Sequence, residues 1–211
     1  MDEQQGRTGA ASDVVERHGG GRTRSGGPIT LDAMADPVAE LCVEPGPLAD
    51  AVAALPAAPG LYAWWTAPSV LPALAGTPHP VDPDLCALDV GTATMLRNRI
   101  TRQHLYRSGV SGLRRVLAGR LLEDLSLSPT WAADVILPRA DEERLTAWMR
   151  EHLRLTWCAR DDRESVVGGV VEALGPGTAV AATVTRDAEA RFLAAAGEKT
   201  VRVVGVPFRR P

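Results

Sequence analysis

Three short apolar runs, separated by amphipathic or loop-forming segments, dominate the pattern of hydrophobic and polar positions along the chain. They cover residues 60–65, 85–90 and 153–158, and their length and their aromatic and aliphatic residues are typical of β-strands. Residues 66–84 contain five prolines, which predict a loop between the first two strands. Strands joined by one such loop pair most simply in antiparallel fashion.

Helices are predicted where apolar residues recur at a spacing of three or four. The predicted helices cover residues 47–55, 92–105, 111–125, 141–152, 161–175 and 188–196, and residues 201–206 predict a further strand. Ser111 is suited to cap the third helix, because a serine hydroxyl accepts a hydrogen bond from a free backbone amide. Asp161 and Glu164 have the spacing of a capping box at the start of the fifth.

This order of elements predicts an α+β fold, in which helices flank a small three-stranded, mainly antiparallel sheet. Residues 1–28 are rich in Gly, Arg and Ser and have no hydrophobic period, which predicts a disordered leader. Residues 29–58 then form an N-terminal extension with a short helix. The domain itself, with one added helix, covers residues 59–178, and residues 179–211 form a C-terminal extension.

Composition and charge narrow the classes of function. Apolar residues make up 45% of the 211-residue chain, enough for a buried core. The formal net charge of -3 means that a nucleic-acid partner would need a local basic patch. No run of about 18 apolar residues occurs, so no membrane span is predicted. Three widely spaced cysteines without a CxxC pair argue against a structural zinc site and favour a reducing, cytoplasmic location.

A basic patch is predicted between residues 92 and 122, where seven arginines occur without any Asp or Glu. Five of them are candidates for contacts with nucleic-acid phosphates: Arg97, Arg102, Arg107, Arg114 and Arg115. His104 and Tyr106 lie among them and are suited to stack on bases. The alternative is a solvated face of two amphipathic helices, because Lys199 is the single lysine among 23 basic residues and arginine is common throughout the chain.

Two short motifs resemble those of the GIY-YIG nucleases. Pro59-Gly60-Leu61-Tyr62 opens the first predicted strand. Leu88-Asp89-Val90-Gly91 ends the second, where that family normally has tyrosine in place of Asp89. Arg99 follows Asp89 by ten residues on the next predicted helix, which is a spacing seen in the family. The resemblance covers roughly residues 56–178 and extends to GIY-YIG-like proteins of actinobacteria.

The resemblance implies an endonuclease that hydrolyses a phosphodiester of DNA, or of RNA, with one divalent cation, Mg²⁺ or Mn²⁺. In such sites tyrosines assist deprotonation of water and shape the pocket, an arginine stabilises the phosphate, and a glutamate holds the metal. Tyr62 matches the first-motif tyrosine and Arg99 the arginine, and His104 lies near a position where the family often has tyrosine or histidine. A metal ion and a guanidinium both place positive charge where the transition state accumulates negative charge.

The chain departs from the family at two catalytic positions. Asp89 replaces the second-motif tyrosine, and the family spacing of the metal-binding glutamate falls on Val167. An apolar side chain cannot bind Mg²⁺, which requires oxygen ligands. Glu164, one helical turn before Val167, or Asp89 would have to supply the missing ligand.

Three interpretations therefore stay open. The chain is a metal-dependent endonuclease with a modified site, a nuclease fold that binds nucleic acid with little cleavage, or an enzyme that acts on a small metabolite. In the third case Tyr62, Asp89, Arg99 and His104 would surround a pocket suited to general acid–base work. We favour a nucleic-acid-directed protein of the GIY-YIG type with impaired or altered phosphodiester hydrolysis, and the metabolite enzyme is the alternative.

Overall fold

A three-stranded antiparallel sheet lies at the centre of the part of the chain that the computed structural model describes, residues 36–198. Strand β1 (Gly60–Thr66) pairs with β2 (Cys86–Ala93) on one side, and with the third predicted strand (Leu153–Ala159) on the other. Helices cover the sheet, so the predicted α+β architecture is confirmed. The leader predicted for residues 1–28 and the strand predicted for residues 201–206 lie outside the described residues.

The other elements follow in chain order. The helices are α1 (Pro37–Leu41), α2 (Leu48–Ala54), α3 (Leu96–Asn98), α4 (Gly112–Arg120), α5 (Arg139–His152), α6 (Arg163–Leu174), α7 (Gly177–Val180) and α8 (Ala182–Ala195). Residues Pro72–Leu74 and Ser108–Val110 form 3₁₀ turns, and Arg99–His104 form a π-helix. A small hairpin pairs β3 (Thr130–Trp131) with β4 (Val135–Ile136), and the third strand of the central sheet is β5. No helix within residues 36–198 has the length and apolar character needed to cross a bilayer.

Strand β1 is buried along its whole length because hydrophobic cores lie on both of its faces. Tyr62 and Trp64 point into the larger core, which α4, α5 and α8 complete. Leu61 and Trp65 point into a smaller core closed by α1 and α6. The alternation of side chains along a strand thus separates Tyr62 from its neighbours and directs it towards the helices that follow β2.

The segment after β2 differs from the helix predicted over residues 92–105. Strand β2 continues to Ala93, because its last residues pair with the start of β1, and helix begins only at Leu96. Over Arg99–His104 the chain adopts a π-helix, with a hydrogen bond from the amide of Leu105 to the carbonyl oxygen of Ile100 (3.1 Å). Such wide turns are rare and frequently occur at functional sites.

The capping box predicted for Asp161 and Glu164 is wrong. Helix α6 begins one residue after Asp162, and no side chain caps its first turn. Asp162 instead accepts two hydrogen bonds from the guanidinium of Arg160, at 2.6 and 2.9 Å. Glu164 therefore makes no capping hydrogen bond at the start of α6.

Helix α8 lies in the predicted C-terminal extension and packs against α4. It begins before the helix predicted over residues 188–196. The contact is close at Gly119, where a Cβ atom would lie 1.8 Å from the carbonyl oxygen of Ala188. The predicted cap of α4 is confirmed, because the hydroxyl of Ser111 accepts a hydrogen bond from the amide of Arg114 (3.2 Å), although α4 ends at Arg120.

Arg114 does not belong to a solvent-exposed basic face, so the prediction that it contacts nucleic acid is wrong. Its side chain is fully buried between α4 and α5, and its Nε lies 2.5 Å from Oε2 of Glu142. Its Nη atoms donate to Oγ1 of Thr146 (3.0 Å) and to the carbonyl oxygen of His104 (3.2 Å). The planar guanidinium satisfies backbone and side-chain acceptors that would otherwise be buried without a partner.

Glu142, the acidic partner of this ion pair, holds the 3₁₀ turn that follows the π-helix. Oε1 of Glu142 accepts hydrogen bonds from the amide (2.8 Å) and the hydroxyl (2.7 Å) of Ser108. That hydroxyl in turn accepts a hydrogen bond from the amide of Leu137 (2.8 Å). One buried pair therefore joins the end of the π-helix, the following turn, α4 and the start of α5.

Replacing Arg114 with methionine should lower the free energy of unfolding by about 3–5 kcal/mol, because Glu142 would keep a buried charge without a partner. The same substitution at Arg102, an exposed arginine of the π-helix, should change it by no more than about 0.5 kcal/mol. Urea unfolding followed by circular dichroism measures both. Similar losses in the two variants would contradict the central role of the Arg114–Glu142 pair.

Candidate active site

Tyr62 on β1 meets Arg99 and His104, the first and last residues of the π-helix, on one face of the sheet. The hydroxyl of Tyr62 lies 2.9 Å from Nε2 of His104 and 3.5 Å from Nε of Arg99. Nδ1 of His104 lies 2.8 Å from the hydroxyl of Ser111. A row of hydrogen bonds thus runs from the cap of α4 through His104 and Tyr62 to Arg99.

The π-helix allows Arg99 and His104 to reach the same tyrosine. In an α-helix of about 3.6 residues per turn, side chains five positions apart point about 140° away from each other. The wider turn of a π-helix, whose hydrogen bonds span five residues, brings such side chains onto one face. The irregular segment is therefore the feature that assembles this part of the site.

The guanidinium of Arg99 is held on one side and free on the other. Its Nη1 donates to Oε1 of Gln103 (2.5 Å) and, at 3.4 Å, to the carbonyl oxygen of Val110. Nη2 has no hydrogen-bond acceptor among residues 36–198, which leaves this nitrogen for a ligand. A fixed arginine with one unpaired edge is suited to bind a phosphate oxygen.

Gly60 and Gly91, the glycines of the two motifs, lie where neighbouring atoms leave no room for a side chain. Gly91 lies opposite Tyr62 in the sheet, and a Cβ atom there would lie 2.3 Å from the tyrosine oxygen. At Gly60 a Cβ atom would lie 2.2 Å from the carbonyl oxygen of Cys158. Only glycine allows the ring of Tyr62 to lie across β2 and reach the π-helix.

Asp89 stands on β2 beside this group, and its carboxylate titrates near neutrality. Burial raises the pKa of Asp89 from 3.8 to about 6, while a hydrogen bond from Thr178 and the charge of Arg99 act in the opposite direction. The hydroxyl of Thr178, on α7, donates to Oδ1 at 2.7 Å. Oδ2 has no hydrogen-bond partner among the described residues. Above pH 6 the site therefore contains a carboxylate with one free oxygen.

Burial keeps Tyr62 and His104 neutral. The pKa of His104 is lowered to about 3, first by burial and then by the charges of Arg99 and Arg114. Burial and the charge of Asp89 raise the pKa of Tyr62, and Arg99 opposes this only in part. Because His104 is 1% exposed and Tyr62 2% exposed, the prediction that His104 stacks on a base is wrong. Burial leaves neither side chain accessible for direct contact with a ligand, whereas the hydroxyl of Tyr62 contacts Arg99.

A cleft of about 250 Å³ lies in front of Arg99. It is lined by Thr92, Ala93, Thr94, Met95, Asn98, Arg99, Gln103 and Glu164. Glu164 therefore faces the same space as Arg99, although its carboxylate also lies 3.3 Å from Nε of Arg163. Neither Val167 nor Asp89 belongs to this lining, so Asp89 approaches Arg99 from outside the cleft.

The donor atoms of the cleft fit a weakly held divalent cation. One carboxylate, two threonine hydroxyls and two side-chain amides line it, and Mg²⁺ prefers oxygen ligands of these kinds. Within residues 36–198, no group of three or more His, Cys, Asp or Glu side chains is placed to hold a metal. A cation bound here would need water and a substrate phosphate to complete its coordination.

The remaining predicted phosphate contacts fall in different environments. Arg97, Arg102 and Arg107 are exposed, whereas Arg115 is half-buried. Nε of Arg115 lies 3.6 Å from Oε1 of Glu189 on α8. A stretch that has no acidic residue in the sequence thus gains acidic neighbours from distant segments, and the basic surface is smaller than predicted.

Sequence reasoning missed two residues that position the site. Gln103 follows Arg99 by four residues, a spacing that places two side chains of a helical segment near each other and provided a usable signal. Thr178 had no such signal, because it lies 89 positions from Asp89 on a short helix that no periodicity predicts.

Comparison with known families supports the resemblance seen in the motifs. The family model for the GIY-YIG catalytic domain matches residues 60–166, just over half of the chain. The match begins at the first residue of β1 and ends within α6, so it includes Tyr62, Asp89, Arg99 and Glu164 but not Thr178. Neither the curated proteins nor the solved structures contain a significant match.

Substituting Gly91 with alanine should lower the free energy of unfolding by about 1–3 kcal/mol, because the new methyl group would overlap the hydroxyl of Tyr62. Gly168, inside α6, has no atom within 4 Å of its Cβ position. Alanine there should instead stabilise the protein by about 0.5–1 kcal/mol. Thermal or urea unfolding distinguishes the two, and a stabilised Gly91→Ala variant would contradict the packing described for Tyr62.

The raised pKa of Asp89 predicts a pH-dependent stability. The folded protein favours the neutral acid, so this contribution to stability is complete below pH 4 and is lost as the pH rises through 6. At about 1.4 kcal/mol per pKa unit, the ionised carboxylate costs on the order of 3 kcal/mol at pH 8. An Asp89→Asn variant should therefore exceed the wild type in stability at pH 8.

Urea titrations of both proteins at pH 4 and pH 8 measure this difference, which should nearly vanish at pH 4. Asp84→Asn, the same change at an exposed position, is the matched control and should change stability by less than about 0.5 kcal/mol at either pH. A pH-independent effect of Asp89→Asn would show that ionisation of Asp89 does not oppose folding.

Proposed function

Because the chain belongs to the GIY-YIG catalytic-domain family, we propose that it is a nucleic-acid-directed phosphodiester hydrolase whose active site is altered. The observation that carries this proposal is the cleft in which Arg99 and Glu164 face the same space. The family makes a nuclease-type function the general expectation.

Arg99 binds the scissile phosphate in this proposal. Its free Nη2 is the donor for a phosphate oxygen, and Tyr62 and Gln103 hold the rest of the guanidinium in place. A positively charged donor fixed before the reaction stabilises the charge that develops on the phosphate without further rearrangement. Tyr62 and His104 are positioning residues, because burial prevents them from touching the substrate.

Asp89, which lies outside the lining of the cleft but has a free Oδ2, is the side chain whose protonation state best suits it to accept a proton from the attacking water. Neutral His104, with a pKa of about 3, is a poor base at neutral pH, and the raised pKa of Tyr62 keeps its phenol protonated. Asp89, with a pKa of about 6, is ionised at pH 7 and still basic enough to take a proton. The aspartate thus performs the task that a tyrosine performs in the family resemblance.

Glu164 is the candidate ligand for Mg²⁺ or Mn²⁺. It lies on the first turn of α6, and Val167, at the position expected from the family, does not reach the cleft. A bound cation would neutralise phosphate charge beside Arg99. Because the cleft offers one carboxylate, we expect the cation to bind weakly and to need the substrate for tight binding. This weaker metal site is the proposed alteration of the activity.

Exposed arginines close to Arg99 in the sequence provide the proposed nucleic-acid contacts. Arg97 lies before Arg99, while Arg102 and Arg107 follow it, and all three side chains reach solvent. They flank Arg99 along the chain and are available for contacts with neighbouring phosphates of a bound strand. A metabolite enzyme acting at this cleft is a weaker alternative, because the volume of the cleft, about 250 Å³, falls below the roughly 300–1,000 Å³ of most small-molecule sites.

Purified protein should nick supercoiled plasmid in the presence of Mn²⁺ or Mg²⁺. Arg99→Ala should reduce the rate by about 10²–10³-fold, because a donor to the transition state is lost. Asp89→Asn should reduce it by at least about 10²-fold through loss of the base. The wild-type rate should rise roughly tenfold per pH unit below pH 6 and level off above it, since the base must be deprotonated.

Arg186→Ala and Asp84→Asn, at exposed positions outside the proposed site, are matched controls that should retain the wild-type rate. Equal nicking by every variant would assign the activity to a contaminating nuclease. No nicking by the wild type, together with no salt-sensitive binding of DNA or RNA, would overturn the proposed function.

A further inference from the structure

A second and larger pocket opens beside the candidate active site. Its volume is about 680 Å³, and it lies between the 3₁₀ turn Ser108–Val110, the β3–β4 hairpin and the first turn of α5. Apolar side chains from the turn and the hairpin form much of its wall, including those of Val110, Ile136 and Leu137. Tyr106 and Arg107 stand at its edge. Of the residues with a role in the proposed function, Arg107 alone lines this space.

One guanidinium connects the pocket with the cleft. Val110 lines the pocket, and its carbonyl oxygen accepts a hydrogen bond from Nη1 of Arg99 at 3.4 Å. Arg99 itself lines the cleft. A nucleic-acid strand with one phosphate at Arg99 would therefore have a neighbouring nucleotide at the mouth of the larger pocket.

The side chains at the pocket edge suit a flat aromatic group attached to a phosphate. Tyr106 is 46% exposed, and Arg150 donates to its hydroxyl at 2.8 Å, which restrains the ring. Arg107 is exposed, and its side chain makes no hydrogen bond or ion pair with residues 36–198. An ordered ring and an unpaired guanidinium are the groups that bind single-stranded nucleic acids by stacking and by charge.

Two of the three acidic residues that line the pocket are paired with arginine, which limits their repulsion of such a ligand. Glu142 is paired with Arg114 at 2.5 Å, and Glu143 with Arg139 at 2.8 Å. Asp134 accepts a hydrogen bond from the amide of Val135 through Oδ1, which leaves its other oxygen as an acceptor. An acceptor within a largely apolar pocket matches the polar edge of a base more closely than it matches a purely hydrocarbon ligand.

We propose that this pocket, the Tyr106 pocket, binds an unpaired nucleobase of the strand whose phosphate lies at Arg99. The base stacks on the ring of Tyr106, and Arg107 contacts an adjacent phosphate. A base within a duplex cannot enter, because its polar edge and both faces are already occupied. The pocket thus directs the protein to single strands, or to unpaired nucleotides in duplexes. This inference rests on the proposed function and adds the structural class of its substrate.

Binding of a fluorescein-labelled 20-nucleotide single strand to the full-length protein, in EDTA and at two salt concentrations, tests the proposal. Tyr106→Ala should weaken binding roughly 5- to 100-fold, the range expected for the loss of one stacked base. Tyr106→Phe, which keeps the ring, should bind within about threefold of the wild type. Ala133→Trp, at an exposed position of the pocket wall, should block entry and weaken binding to a similar degree as Tyr106→Ala.

Two further comparisons separate this proposal from the proposed function. A fully paired duplex of the same sequence should bind wild type and Tyr106→Ala equally, because no base enters the pocket. If wild type binds the single strand in a salt-sensitive manner but Tyr106→Ala and Ala133→Trp bind it as well, the pocket proposal is overturned and the proposed function stands. If wild type binds neither nucleic acid at low salt, both proposals fail. Thermal unfolding of each variant confirms that the substitutions leave the fold intact.

Discussion

The buried ion pair between Arg114 and Glu142 is the interaction on which the arrangement of the site depends. Arg114 donates a hydrogen bond to the last carbonyl oxygen of the π-helix, that of His104, and Glu142 accepts one from the amide of Ser108. The pair therefore fixes the C-terminal end of the segment that carries Arg99 and His104. A buried pair of this kind adds little stability compared with well-packed apolar residues, but loss of one partner is costly. Its value here is geometric and electrostatic, because its arginine also helps to keep His104 neutral.

The charge of the site lies on few groups, because the residues behind the cleft are neutral. Tyr62 and His104 are uncharged near pH 7. Their buried hydrogen bonds therefore fix the position of Arg99 and add no charge to the site. Arg99 supplies the positive charge at the cleft, and Asp89 supplies a negative charge just outside it. Asp89, in place of the family's tyrosine, therefore changes the charge of the site as well as its proton acceptor. In the proposed function it adds an anion near the phosphate, which would make a cation at Glu164 more important for catalysis.

The strands, the motif residues and most helices follow from the sequence because they depend on local periodicity and on glycines that allow close approach. The π-helix does not, since its pattern resembles an α-helix and only tertiary contacts select the wider turn. Burial of Arg114 is equally invisible in the chain, because its partner Glu142 lies 28 positions away. The same limit applies to Thr178 and Asp89, which meet only through the packing of a four-residue helix.

The contact with Thr178 also bears on whether the substitution at Asp89 represents a decayed site. Helix α7 is seated against the proline-rich loop, since a Cβ at Gly177 would lie 1.7 Å from the carbonyl oxygen of Leu74. That close contact aims the hydroxyl of Thr178 at Asp89, where it lowers a pKa that burial has raised. An asparagine would fit the same hydrogen bond without the free-energy cost of a buried charge. The carboxylate of Asp89 opposes folding, yet it is held by one hydrogen-bond donor and keeps one free oxygen. This arrangement is the one expected of a group that accepts a proton. This physical cost favours an altered active site over an inert one.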